Sequence, residues 1–148
     1  MHSNEYVIRQ ISVFLDNRPG SLAEMARYLA DRNINLRALS LAETRDFGTA
    51  RIIVADTDSC AQALRQGGYN FIETDVLAVE VADCPGGMAD VLEIIAREQI
   101  NVEYVYATVG RREDSAIIIL RVEKPVRAYM TLHANGVRLL AEKDIEIL

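Results

Sequence analysis

Side chains that attack, shuttle protons or hold metals at fixed spacing are scarce in this sequence. Its only histidines are His2 and His133, and its two cysteines, Cys60 and Cys84, have no CxxC spacing. A metal centre and a disulfide framework are therefore not expected. No GxSxG, GxGxxG, P-loop or HExxH run occurs, so nucleophilic, dinucleotide, phosphate and zinc chemistry lack their usual anchors. Carboxylates are numerous, but nothing in their spacing fixes two of them in one cleft. What remains is binding chemistry at two short turns, Asn17-Arg18-Pro19-Gly20 and Asp83-Cys84-Pro85-Gly86, each leading into a helix-periodic segment. A helix start presents unpaired N–H groups and the positive end of the helix dipole. Gly20, Ser21 and Leu22 in the first turn, and Gly86, Gly87 and Met88 in the second, are the expected donors. Asn17 either contacts a ligand, since an amide donates and accepts, or only caps the helix. Asn35 either shares that role or satisfies a turn at a strand entrance. Cys84 sits where a helix start can activate a thiol, but Arg18 fills the equivalent position, so thiol chemistry is not expected.

The elements that position these turns come in duplicate. Slid by the 66 residues that separate Gly20 from Gly86, NRPGSLAEMARYLADRNINL lies over DCPGGMADVLEIIAREQINV without a gap. Repeats of this kind outrank other signals. Leu22, Met25, Ala26 and Leu29 recur as Met88, Val91, Leu92 and Ile95, a helical i, i+3, i+4, i+7 stripe in both copies. In each copy the signals run strand, helix, strand, strand, helix, strand. In the first, Val7 to Leu15 predicts a strand, Ser21 to Arg32 a helix and Leu36 to Thr44 a second strand. Arg45 to Gly48 predicts a hairpin turn and Thr49 to Ala55 a third strand. A second helix, capped by Thr57 or Asp58, stops at Gly67-Gly68, and Phe71 to Thr74 is a brief last strand. In the second copy Pro125 opens the last helix, whose expected apolar stripe is Val126, Tyr129 and Met130, and Val137 to Leu140 closes the sheet. Tyr104 and Tyr106 share a strand face, as core or as pocket lining. EKDIEIL at the end echoes ETDVLAV and predicts one more short strand.

The fold class is accordingly α+β, two tandem ferredoxin-like βαββαβ domains with antiparallel sheets, residues 1–74 and 75–148. Units of about 70 residues are near the lower limit of independent folding, so the two should pair. The net charge of −6 and the scattered basic residues exclude nucleic acid. No ~20-residue apolar run is present and the first residues lack a signal-peptide core, so no membrane association and a cytoplasmic location are expected.

On these residues the chain resembles the ACT domain family. Each copy runs a strand into [DN]xPG, opens a helix, and begins its second strand with Ile-Asn-Leu or Ile-Asn-Val. The first copy is particularly similar to the serine-sensing ACT domain of phosphoglycerate dehydrogenase, which carries NRPG and an asparagine opening its second strand. That resemblance implies Asn17 and Asn35 as contacts to a bound amino acid at the interface of paired domains, with Asp83 and Asn101 at the matching places. An amino acid is a zwitterion, so the helix-start N–H groups suit its carboxylate, while Asp83 favours an ammonium group. The whole chain is similar to stand-alone tandem-ACT regulatory proteins. It implies an allosteric sensor and not an enzyme, with no cofactor. The expected partners are a small-molecule amino acid, a second copy of the chain and a metabolic enzyme. The alternative is a regulatory subunit that docks on a biosynthetic enzyme in trans without binding any metabolite.

Overall fold

The computed structural model describes residues 4–108 and 114–147. Its elements are β1 (Ile8–Asp16), α1 (Ser21–Ala30), β2 (Ala38–Glu43), β3 (Phe47–Ile53), α2 (Thr57–Gln66), β4 (Asn70–Ala82), α3 (Gly87–Arg97), β5 (Val102–Ala107), β6 (Ser115–Val122), α4 (Pro125–Ala134), β7 (Leu139–Leu140) and a closing 3-10 helix, Glu142–Ile147. The βαββαβ order therefore occurs twice, in two tandem ferredoxin-like halves with antiparallel sheets. The chain divides into two compact units, Arg9–Thr74 and Asp75–Leu148 together with Met1–Ile8. The division falls inside β4, whose first residues close one sheet and whose remainder opens the other.

In the unit Arg9–Thr74 the strand order is β2-β3-β1-β4. Period-2 alternation turns Ile11, Val13 and Leu15 of β1 and Ala50 and Ile52 of β3 to one face, where Met25 and Leu29 of α1 and Cys60, Ala61 and Leu64 of α2 cover them. The expected stripe of α1 is therefore the one it buries. The hairpin is tighter than expected. Thr44 N–H donates to Phe47 O at 2.8 Å, so only Arg45 and Asp46 turn, while Phe47 and Gly48 pair with Asp16 and Leu15 as part of β3. The cap of α2 is Asp56 rather than Thr57 or Asp58, because its carboxylate accepts from Ser59 N–H at 3.1 Å. Tyr28 lies over Gly67, where an added Cβ would come within 2.6 Å of its ring, and its hydroxyl donates to Ala63 O.

In the other unit β7, β4, β6 and β5 lie side by side. Leu77, Val79 and Val81 of β4, Ile118, Leu120 and Val122 of β6, Val91 and Ile95 of α3, and Ala128 and Leu132 of α4 form its core. Val126 and Met130 of the expected α4 stripe are instead 50% and 63% exposed. Their helix faces the sheet through the smaller Ala128 and through Leu132, while Tyr129 stacks on Tyr6 at 4.8 Å between ring centroids. A bulge in β5 between Val102 and Tyr104 turns Tyr104 and Tyr106 opposite Arg121 and Ile119, so both rings stay outside the core cluster and stack on each other at 6.5 Å. The closing segment is not a strand. Asp144 accepts from Ala141 N–H at 2.9 Å, which fastens a tight helical turn, and Glu142 N–H donates to Glu5 O at 3.0 Å. Leu148 lies outside the described residues.

Candidate functional site

Both Asx-x-Pro-Gly turns are built alike at the helix starts. Gly20 and Gly86 sit at φ +91° and +89° as the residues preceding α1 and α3, a left-handed conformation that glycine adopts without a Cβ penalty. Ser21 N–H donates to Arg18 O at 3.3 Å and Gly87 N–H to Cys84 O at 3.1 Å. Those two expected donors are therefore consumed inside the turn. The N–H groups of Gly20, Leu22 and Ala23 at α1, and of Gly86, Met88 and Ala89 at α3, have no backbone partner among the described residues and stay open to a ligand. Gly87 has a further reason to be glycine, since an added Cβ would stand 2.0 Å from Ala82 O. Its counterpart Ser21 has room for a side chain, and its buried Oγ has no hydrogen-bond partner among the described residues.

Asn17 does not cap α1, which has no side-chain cap. Its backbone N–H donates to Asp46 O at 3.1 Å and its Nδ2 to Thr44 O at 3.1 Å and Arg45 O at 3.4 Å, fixing the β1–α1 turn to the β2–β3 hairpin. Oδ1 has no hydrogen-bond partner among the described residues and remains an acceptor. Beside it, Arg18 pairs with Glu24 at 3.0 Å and approaches Asp16 at 4.0 Å. The hydrogen bond to Arg18 holds the Glu24 carboxyl below its ordinary range, and the same bond raises Arg18. In the second unit Asp83 N–H donates to Asp114 O at 2.9 Å, the same backbone tie. The Asp83 carboxylate is exposed and has no hydrogen bond among the described residues, which do not include 109–113.

Asn35 stands at the other end of α1, in the loop before β2, where it lines a cavity of about 300 Å³ with Arg37, Val54, Asp56 and Ser59. A ten-residue helix separates it from the Asn17 turn by about 15 Å. Asn101 repeats the placement beyond α3, and its carbonyl accepts from Glu123 N–H at 3.3 Å. Each unit thus brings Asn17 together with Gly20, Ser21 and Leu22, or Asp83 with Gly86, Gly87 and Met88, but leaves its second asparagine at the far end. Sequence reasoning missed Arg18–Glu24 and Arg37. The signal was available at the repeat offset, where Arg37 falls on Glu103. Among the described residues no group of three or more His, Cys, Asp or Glu stands ready for a metal, and no helix is long and apolar enough to cross a membrane.

This duplicated turn, helix and strand arrangement coincides with a known family. The description ACT domain pair matches residues 6–148. The chain belongs to that family. A crystal structure of a Bacteroides thetaiotaomicron protein superposes with a TM-score of 0.90 at 35% identity, over 97% of this chain and 98% of that one. The regulatory subunits of aspartate kinase from Thermus thermophilus and Thermus flavus share the fold at 18% identity. Their TM-scores are 0.64 and 0.60, over 87% and 86% of this ACT pair and 92% of each of theirs. No curated protein matches.

Proposed function

We propose that this ACT pair is an amino-acid sensor, a regulatory protein without catalysis of its own that responds to a small-molecule amino acid and passes the signal to a metabolic enzyme. The observation that carries the reading is the duplicated helix-start turn. In both units a left-handed glycine aims unpaired N–H groups outward beside an Asx side chain, a geometry that suits a carboxylate. Family membership supports regulation over catalysis, and the regulatory subunits of aspartate kinase that share its fold support a biosynthetic enzyme as partner class.

Since Asn17 and Asn35 stand at opposite ends of α1, a ligand that touches both takes them from two ACT units. A homodimer, with the Asn17 turn of one copy facing the Asn35 end of another, satisfies this. Binding would then stabilise one pairing, because a ligand shifts an equilibrium only through its differential affinity for two states. Asn17→Ala and Asn35→Ala should each abolish the amino-acid heat in calorimetry while circular dichroism stays unchanged. Retained binding in both variants would remove the site from these residues, and no amino-acid heat with the unaltered chain would favour docking in trans without a metabolite.

A further inference from the structure

The cavity at the Asn35 end holds a cation that the fold does not use. It is formed by the α1–β2 and β3–α2 connections of the unit Arg9–Thr74 and lined by Arg32, Asn35, Arg37, Asp56 and Ser59 among others. At about 300 Å³ it stands at the lower end of the roughly 300–1,000 Å³ of small-molecule pockets. Arg37 is held there by its backbone, whose N–H donates to Ile53 O at 2.8 Å. Its Nε is buried with no hydrogen-bond partner, and the side chain forms no ion pair among the described residues.

Its neighbours are already engaged. Arg32 lies 3.5 Å over the Tyr28 ring and donates to Tyr28 O at 3.1 Å. Asp56 accepts from Ser59 N–H at 3.1 Å and from its hydroxyl at 2.6 Å. Two guanidinium groups against one carboxylate leave the cavity positive, with Arg37 as the unpaired member. A guanidinium presents a planar fork that matches a carboxylate.

The repeat supplies an internal control. At the same offset Arg32 becomes Glu98 and Arg37 becomes Glu103. Both acids are paired, Glu98 with Arg127 at 3.1 Å and Glu103 with Arg121 at 2.8 Å. The same fold thus forms with the charges reversed, so the architecture does not require Arg37.

We propose that Arg37 makes this ACT pair selective for an amino acid with an acidic side chain, aspartate or glutamate. The inference rests on the sensor reading above. The helix-start N–H groups take the ligand's α-carboxylate, and the Asn35 end takes its side-chain carboxylate on the free fork of Arg37.

The test is calorimetry of the full chain against glutamate, glutamine, aspartate and asparagine, pairs that differ in shape by little more than the charge. The wild type should bind each acid at least tenfold more tightly than its amide. Arg37→Gln should bring that ratio near one, Arg37→Lys should keep part of it, and Glu103→Gln should leave it unchanged. If Arg37→Gln fails to fold, the partial loss in Arg37→Lys carries the test. An amide bound as tightly as its acid, or an Arg37→Lys ratio equal to wild type, overturns the inference. Binding of a neutral or basic amino acid in preference to the acids overturns it and leaves the sensor standing. Failure of all twenty amino acids to bind overturns both.

Discussion

Asn17 ties two loops together through three hydrogen bonds, two of them from its side chain to exposed carbonyls. Replacing it with alanine should therefore cost about 1 kcal/mol or less in stability, far less than it costs ligand binding; urea melts beside calorimetry separate the two. Gly87 is the opposite case. Its added Cβ would stand 2.0 Å from a backbone carbonyl, so Gly87→Ala should lower stability by about 1–3 kcal/mol, whereas Ser21→Gly should be nearly neutral; chemical denaturation of the two variants measures both. The thiols also differ. Cys60 is buried, and burial pushes its thiol up to about 11, with Asp56 adding to the rise; Cys84 is exposed. At pH 8 a thiol reagent should label Cys84 and spare Cys60 until the protein unfolds. Because the Cys60 value is raised from 9.0, its neutral form contributes stability that is complete below about pH 9 and lost as pH climbs through about 11. At this scale the turn residues were legible, since Asn, Pro and Gly carry strong local preferences. The uses of Ser21 N–H and Asn17 Nδ2 were not, because each depends on which carbonyl the folded chain brings near.

Elements with a clean period were readable from residue types. The stripe Leu22, Met25, Ala26, Leu29 marks the face that α1 buries, and Val91 and Ile95 do so for α3. Leu29→Ala and Ile95→Ala, both at fully buried positions, should each cost about 2–5 kcal/mol, measured as a fall in the urea midpoint. The buried face of α4 is not legible in the sequence because Val126 and Met130 are apolar yet exposed, while Ala128, the residue that approaches the sheet, is too small to stand out in a hydrophobic pattern. The bulge in β5 was equally invisible, since nothing in Val102-Glu103-Tyr104 announces a register shift. Helix α2 depends on Asp56, whose carboxyl is held below its usual 3.8 first by the Ser59 hydroxyl and then by Ser59 N–H. A lowered value means the cap acts above about pH 4 and fails as pH falls through the folded value. Asp56→Ala should thus lower the melting temperature at pH 7 and make little difference at the acid end of a pH series.

For the whole molecule, the 66-residue repeat was enough to set the βαββαβ order twice. It did not show that the division falls within one strand, β4, because Phe71 to Thr74 and the residues after Asp75 read as two strands when each copy is considered alone. The duplication also hides an asymmetry. Asp83 replaces Asn17, and Glu98 and Glu103 replace Arg32 and Arg37, so the two units carry unequal charges at matching positions. An amino acid bound at the native turns of this ACT pair, and not by the unfolded chain, would stabilise it by about 2.7 kcal/mol at a hundredfold excess over Kd. The most direct measurement is a thermal-shift screen of the intact chain against the twenty amino acids at millimolar concentration. The expected result is a rise of several degrees confined to one ligand or one small class and lost in Asn17→Ala; an unchanged melting temperature with all twenty would rule out an amino-acid sensor.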